Sequence, residues 1–421
     1  MKIPLLHIPP ALRYRRFTLL WGGHFISVIG SQMQLWSLYW HIRTLSDQPI
    51  AVSGIGLARF IPILTFALVG GVTADLFNRR KVMFVSQTTM ALVAAALGLL
   101  TWTGTIEIWH IYILTAIQAA AISFDVPARQ SLIPNLIDNK EDLPSAFSAN
   151  SIAVNLGTII GPGISGLVIS SFGQFSVYWI NAVSFLAVIL ALILMGPVPQ
   201  EVNPVARRAG INLTAIKEGF HFLKRSPIIL SSMLLDFFAT FFSAANTLMP
   251  FVARDILHVG VVEYGWLSAG QSIGAVSVAL VISQRSNLRR QGRMLVSGVV
   301  IFGVATILFG LSRTFPLTLV ALILMGAGDA VSTILRNTIR QLQTPDYLRG
   351  RMVSINQIFF QGGPQLGEIE SGLVAQAFGI PAAIISGGAG AIIAVIFVAR
   401  RWPQLGTYNG DEPVLAGEAV K

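Results

Sequence analysis

Runs of about 20 apolar residues recur along this chain, separated by short polar loops, and this recurrence limits its fold more than any other feature. A helix rising 1.5 Å per residue crosses the ~30 Å hydrocarbon core of a bilayer in such a run. Lipid offers backbone amides and carbonyls no partners, so a spanning segment must satisfy them internally, as a helix does. Twelve spans are expected, near 17–42, 50–73, 81–103, 107–128, 146–171, 175–196, 227–252, 264–284, 294–312, 316–340, 352–376 and 381–402. They leave an N-terminal segment at 1–16, a first group of spans over 17–196, a polar linker at 197–226, a second group over 227–402 and a tail at 403–421. Within the linker, Leu213 to Leu223 has the pattern of an amphipathic surface helix. Composition agrees: 11% of residues are charged, against about 25% in soluble domains. The expected class is an all-α membrane protein whose main partner is the lipid bilayer.

The net charge is +10, yet the basic residues do not gather on one surface as nucleic-acid binding requires. They stand in clusters between the apolar runs, such as Arg13, Arg15 and Arg16, or Arg289, Arg290 and Arg293. The termini and alternate loops hold 24 of the 29 Lys and Arg, the opposite loops hold three (Arg43, Arg254, Arg313), and two (Arg59, Arg336) fall within spans. The positive-inside rule then places both termini in the cytoplasm. The first run lacks the short length and small-residue cleavage site of a cleavable signal. The absence of cysteine excludes disulfides and thiolate metal sites. No Lys follows a Gly and no His precedes a Glu, so the phosphate-loop lysine and the His-Glu-x-x-His zinc motif are both missing. No cofactor is expected. Energy for any transport must come from an ion gradient or from the cargo's own gradient.

A shift of 206 residues lays span five on span eleven without a gap. Ser148, Asn150 and Ile152 meet Ser354, Asn356 and Ile358. Gly157, Gly161 and Gly166 meet Gly363, Gly367 and Gly372, and Phe172-Gly173 meets Phe378-Gly379. Apolar bias alone does not align three glycines, an Asn and a terminal Phe-Gly. A shift near half the chain length implies two parallel six-helix bundles, a plan in which small-molecule cargo binds between halves that rock about it.

The loop after span two reads Gly71-Val-Thr-Ala-Asp75-Leu-Phe-Asn78-Arg79-Arg80-Lys81. A glycine permits close helix approach, an acid can cap or pair, and the cations favour the cytoplasmic face. Span five carries Gly157, Gly161, Pro162 and Gly166, a small-residue seam with a proline that removes one helical hydrogen bond. On these residues the chain resembles the major facilitator superfamily, whose signature loop reads Gly-x-x-x-Asp-x-x-Gly-Arg-Arg. Gly71, Asp75, Arg79 and Arg80 match, while Asn78 replaces the second glycine and shares its tolerance of left-handed backbone. The resemblance implies that Asp75 helps latch one conformation and that the span-five motif is of the antiporter type found in exporters. Further segments (Phe124 to Gln130, Gly219 to Pro227, Gln341 to Arg351) are similar to the transmembrane secretion effector branch, which carries siderophores, macrolides and many unknown cargoes. That branch implies a bacterial cytoplasmic membrane and a monomer.

A charge at mid-bilayer costs at least ~2.5–3.5 kcal/mol, so intramembrane charges are candidate sites for protons or substrate. They are Arg59, Asp236, Asp329, Arg336, Glu368 and Glu370. Glu370 is expected on the glycine seam, with Glu368 pointing elsewhere. Two carboxylates this close repel when both are ionised, the condition a proton carrier needs. Structural ion pairing explains each of them equally well. Asp125 and Arg129, nearer the cytoplasm, read as a gate pair. Trp36 to Trp40 reads as an interfacial belt. Phe237, Phe238, Phe241 and Phe242 could line an apolar site, although core or lipid packing accounts for them as well. The expectation is a proton-coupled exporter of a hydrophobic or amphiphilic small molecule. The alternatives are an importer or symporter on the same fold, and a membrane enzyme or sensor, for which no polar catalytic cluster is found.

Overall fold

The computed structural model describes residues 9–200, 221–284, 289–345 and 349–410, without the side chains of 68, 75, 349–351, 353–355, 357, 358 and 361. Twelve long helices run through these residues. They are α1 (Arg15–Leu45), α2 (Pro49–Leu76), α3 (Arg79–Trp102), α4 (Ile108–Leu132), α5 (Leu143–Phe172), α6 (Gln174–Leu194), α7 (Pro227–Phe242), α8 (Val261–Ser283), α9 (Gln291–Leu311), α10 (Phe315–Gln343), α11 (Arg349–Phe378) and α12 (Ile380–Arg401). Among the described residues, ten spans are long and apolar enough to cross a membrane by length and composition. The exceptions, α1 and α11, are as long but carry His24, Gln32, Gln34 and His41, or Gln365, Glu368 and Glu370. Of the expected linker helix, Leu213 to Leu223, all but the end lies outside the described residues; residues 221–225 are helical.

The repeat is visible in the element bounds. Helix α5 begins at 143 and ends at 172, and α11 begins at 349 and ends at 378, both offset by 206. Each ends at a glycine with left-handed φ, Gly173 at +86° and Gly379 at +89°, which lets the next helix start at once. The seam does the same work twice. On α5, side chains at Gly157 and Gly161 would strike Val28 and Gln32 of α1. On α11, side chains at Gly363 and Gly367 would strike Thr240 and the Phe241 carbonyl of α7. Small residues take this position because helices in lipid associate through backbone-close packing rather than hydrophobic burial.

By contacts the chain forms two compact units, one of residues 1–41 and 61–211 and one of 42–60 and 212–421. The tip between α1 and α2 therefore belongs to the second unit, although both helices were expected whole within the 17–196 group. In the first unit, Phe17, Leu20, Met83, Leu132 and Leu192 belong to one buried apolar cluster. Trp36 and Tyr39 are buried there with rings edge-on at 5.7 Å, which corrects their reading as an interfacial belt. In the second unit, α9 packs on α10 and α12 through paired glycines, Gly298 with Gly328 and Gly303 with Gly388.

The seventh span, expected as one helix over 227–252, is broken. Helix α7 stops at Phe242, residues 246–248 form a 3-10 turn, and Val252–Ile256 form a π-helical turn. Ser371 of α11 donates to the freed Ala244 carbonyl at 2.9 Å, so a neighbouring helix supplies a hydrogen bond the break removes.

Candidate functional site

Two buried charges of the second unit meet at the α7–α10 contact. Asp236 of α7 and Arg336 of α10 form an ion pair and are only 4% and 2% exposed. Arg336 also donates to Thr333 Oγ1 at 3.2 Å and to Ser332 Oγ at 3.5 Å. Half-buried Asp329 lies two turns from Arg336 on α10. Asp329, Ser332, Thr333 and Arg336 follow i, i+3, i+4, i+7 spacing, which lines up polar groups on one helix face. The arrangement is a buried guanidinium–carboxylate pair with a second carboxylate, Asp329, two turns along the same face of α10. With both acids ionised the group carries a net negative charge; with one protonated it is neutral. In a low-dielectric interior that difference makes proton occupancy sensitive to any change in packing.

Glu368 lies elsewhere, on the α11 face turned to the α2 tip. It is 5% exposed, and its Oε2 stands 2.8 Å from where a Cβ on Gly56 would be. Glu370, expected on the glycine seam, is half-buried, so the more enclosed of the two acids is the one expected to point away. Arg59 takes part in none of the ion pairs among the described residues and is half-buried. The structure thus pairs Asp236 with Arg336, leaves Asp329 two turns along the same face of α10, and puts Glu368 in a separate contact.

In the first unit, Asp125 and Arg129 meet within α4 at 3.4 Å. Asp125 accepts from Gln87 of α3 at 2.8 Å, and Arg129 donates to Asn150 of α5 at 3.4 Å. The pair thereby ties three helices of one unit. The signature loop has a similar role. Arg79 donates to the carbonyls of Ala74 and Ser131 and to Asn135 Oδ1, and Arg80 donates to the Leu192 carbonyl at 2.6 Å. The Asp75 side chain lies outside the described ones. Asn78 has φ −62° and caps α3 by accepting from the Lys81 amide, so the left-handed backbone it tolerates is not used here. One local expectation is corrected. Gly70, not Gly71, makes the close helix approach: a Cβ on Gly70 would strike the Ser123 carbonyl, and Gly71 has open space. Pro162 and Gly166 are buried within α5.

Sequence reasoning passed over a neutral network in the first unit. Asn181 donates to Gln34 at 2.7 Å, Gln34 donates to Gln118 at 2.6 Å, and Ser184 donates to Asn181 Oδ1 at 2.9 Å. These side chains cross-link α1, α4 and α6. Amides within apolar runs were the available signal, since each buried one needs a partner.

Long helices with doubled glycine seams and buried charges define a multi-pass membrane transporter with the fold of the major facilitator superfamily. The sequence profile of the transmembrane secretion effector family matches residues 9–409, and the chain belongs to that family. The multidrug efflux pump Tap of Mycolicibacterium fortuitum is 26% identical over 369 residues, covering 85% of this chain and 88% of Tap. The enterobactin exporter EntS of Escherichia coli O1:K1 / APEC is 29% identical over 303 residues, covering 72% of this chain and 70% of EntS. Among solved structures, a bacterial homolog of the human lysosomal transporter Spinster superposes with TM-score 0.73 at 15% identity, covering 94% of this chain and 98% of that one. The nucleoside transporter NupG gives 0.70 at 14% identity over 91% and 99%. At these identities the structural likenesses establish fold alone.

Proposed function

We propose that this transporter exports a hydrophobic or amphiphilic small molecule from the bacterial cytoplasm in exchange for protons, by alternating access. The observation that carries the coupling is the buried ion pair of Asp236 and Arg336, with half-buried Asp329 two turns from Arg336 on the same face of α10. Arg336 holds Asp236 as an ion pair, which leaves Asp329 as the acid whose protonation neutralises the group. A proton bound there changes the balance between two conformations in proportion to its differential affinity for them. Glu368 and Glu370 are the reserve carriers, and Arg59 is the candidate cation for an acidic cargo group. The direction of transport follows the efflux activities named for Tap and EntS and the span-five motif of Gly157, Gly161, Pro162 and Gly166. In this reading both termini are cytoplasmic, the protein works as a monomer in the inner membrane, and Asp75 with Arg79 and Arg80 latches one state.

The test is a cargo screen in cells lacking their main efflux pumps, comparing the parent with Asp329→Asn, Asp236→Asn, Glu368→Gln and Glu370→Gln. Efflux should collapse with a protonophore, and Asp329→Asn should abolish it while the protein still reaches the membrane. Full protonophore-sensitive efflux by all four variants would end this mechanism. Import or proton symport on the same fold remains the second reading. It would show as accumulation in right-side-out vesicles.

A further inference from the structure

We propose that Arg43, Asp47 and Asp255 form a charge-exchange clasp, which fastens the tip between α1 and α2 to the π-helical turn beyond α7 and releases it without stranding a charge. Arg43 ends α1 and is buried, its guanidinium 4.8 Å above the Phe251 ring. Its Nη2 donates to both Asp255 oxygens at 2.8 and 3.0 Å, and its Nη1 donates to Asp47 at 2.5 Å. Asp255 stands in the π-helical turn beyond the break of span seven. Asp47 is four residues past Arg43 on the same tip and moves with it.

The two acids differ in surroundings. The Asp47 side chain is 92% exposed and that of Asp255 35% exposed. If the tip leaves the turn, Arg43 keeps Asp47 as its partner and water hydrates Asp255. Breaking a buried pair is costly chiefly because one charge is left uncompensated, and Asp47 removes that cost. A planar guanidinium can serve two carboxylates at once, which a lysine ammonium cannot match in geometry.

Two neighbouring contacts make the fastening close-fitting. Ser53 donates to Thr247 at 3.2 Å, and both are fully buried. One turn along α2, Gly56 abuts Glu368 and the Gln365 carbonyl, where a Cβ would lie 2.8 and 2.9 Å from oxygen; Gly372 abuts Ser53. Packing this tight is either made or lost as a whole. The inference depends on neither cargo nor coupling ion and so stands apart from the export reading.

The chain has no cysteine, so a single thiol reports without background. In Thr247→Cys protein purified in detergent, where both faces meet the reagent, the thiol should react slowly with a maleimide. Adding Asp255→Asn should speed labelling roughly fivefold, the worth of one partly exposed pair. Adding Asp47→Asn should slow it, because the released arginine loses its remaining partner. In the double variant Ser53→Cys with Thr247→Cys, a disulfide should form on oxidation, and more slowly with Asp255→Asn. Labelling unchanged by Asp255→Asn, acceleration by Asp47→Asn, or no disulfide in the parent pair would overturn the proposal.

Discussion

Arg336 and Asp236 show how residue chemistry decides what a membrane protein can tolerate. Each alone would be an uncompensated charge in a low-dielectric interior; together, with Ser332 and Thr333, they are a satisfied group. Arg336→Gln should therefore destabilise the purified protein by ~3–5 kcal/mol. The double variant with Asp236→Asn should recover most of that loss in thermal unfolding. Strict additivity of the two would show that the pair carries no coupling. These charges were legible in the sequence because each stands alone in an apolar run. The partnership of Asp236 with Arg336 was not legible, since the two come from helices 100 residues apart in sequence. Arg43 was read only as a loop cation, and Asp255, 212 residues on, was not singled out, for the same reason.

At the scale of elements, the glycine seams make a paired prediction. A Cβ at Gly161 would stand 3.0 Å from the Ile29 carbonyl and closer still to Gln32, whereas one at Gly163 meets nothing within 4 Å. Gly161→Ala should cost about 1–3 kcal/mol of stability through overpacking. Gly163→Ala should be neutral or slightly stabilising. Equal melting temperatures for the two variants would contradict the seam. Gly367→Ala should behave like Gly161→Ala, since the repeat places it against the Phe241 carbonyl. Helix positions and the 206-residue repeat were readable because spans obey bilayer thickness and the seam tolerates only small residues. The break after Phe242 was passed over although Asn246, Thr247 and Pro250 interrupt the apolar run; the compensating donor, Ser371, lies in α11, far off in sequence. Trp36 and Tyr39 misled for a related reason: an aromatic cluster at a span end reads as an interfacial belt whether lipid or protein covers it.

For the whole molecule, the family membership, the doubled six-helix sequence pattern and the enclosed acid–arginine group point to one account, in which proton occupancy in the second unit is exchanged for cargo. The account's direction and its energy source can be read together. Membrane vesicles would be prepared everted and right-side-out from cells lacking other pumps, and uptake of a fluorescent amphiphilic dye followed under an imposed pH gradient. The account predicts dye accumulation in everted vesicles alone, driven by an acidic lumen, abolished by a protonophore and lost in Asp329→Asn. Accumulation confined to right-side-out vesicles, or uptake that persists when the gradient is dissipated, would contradict it.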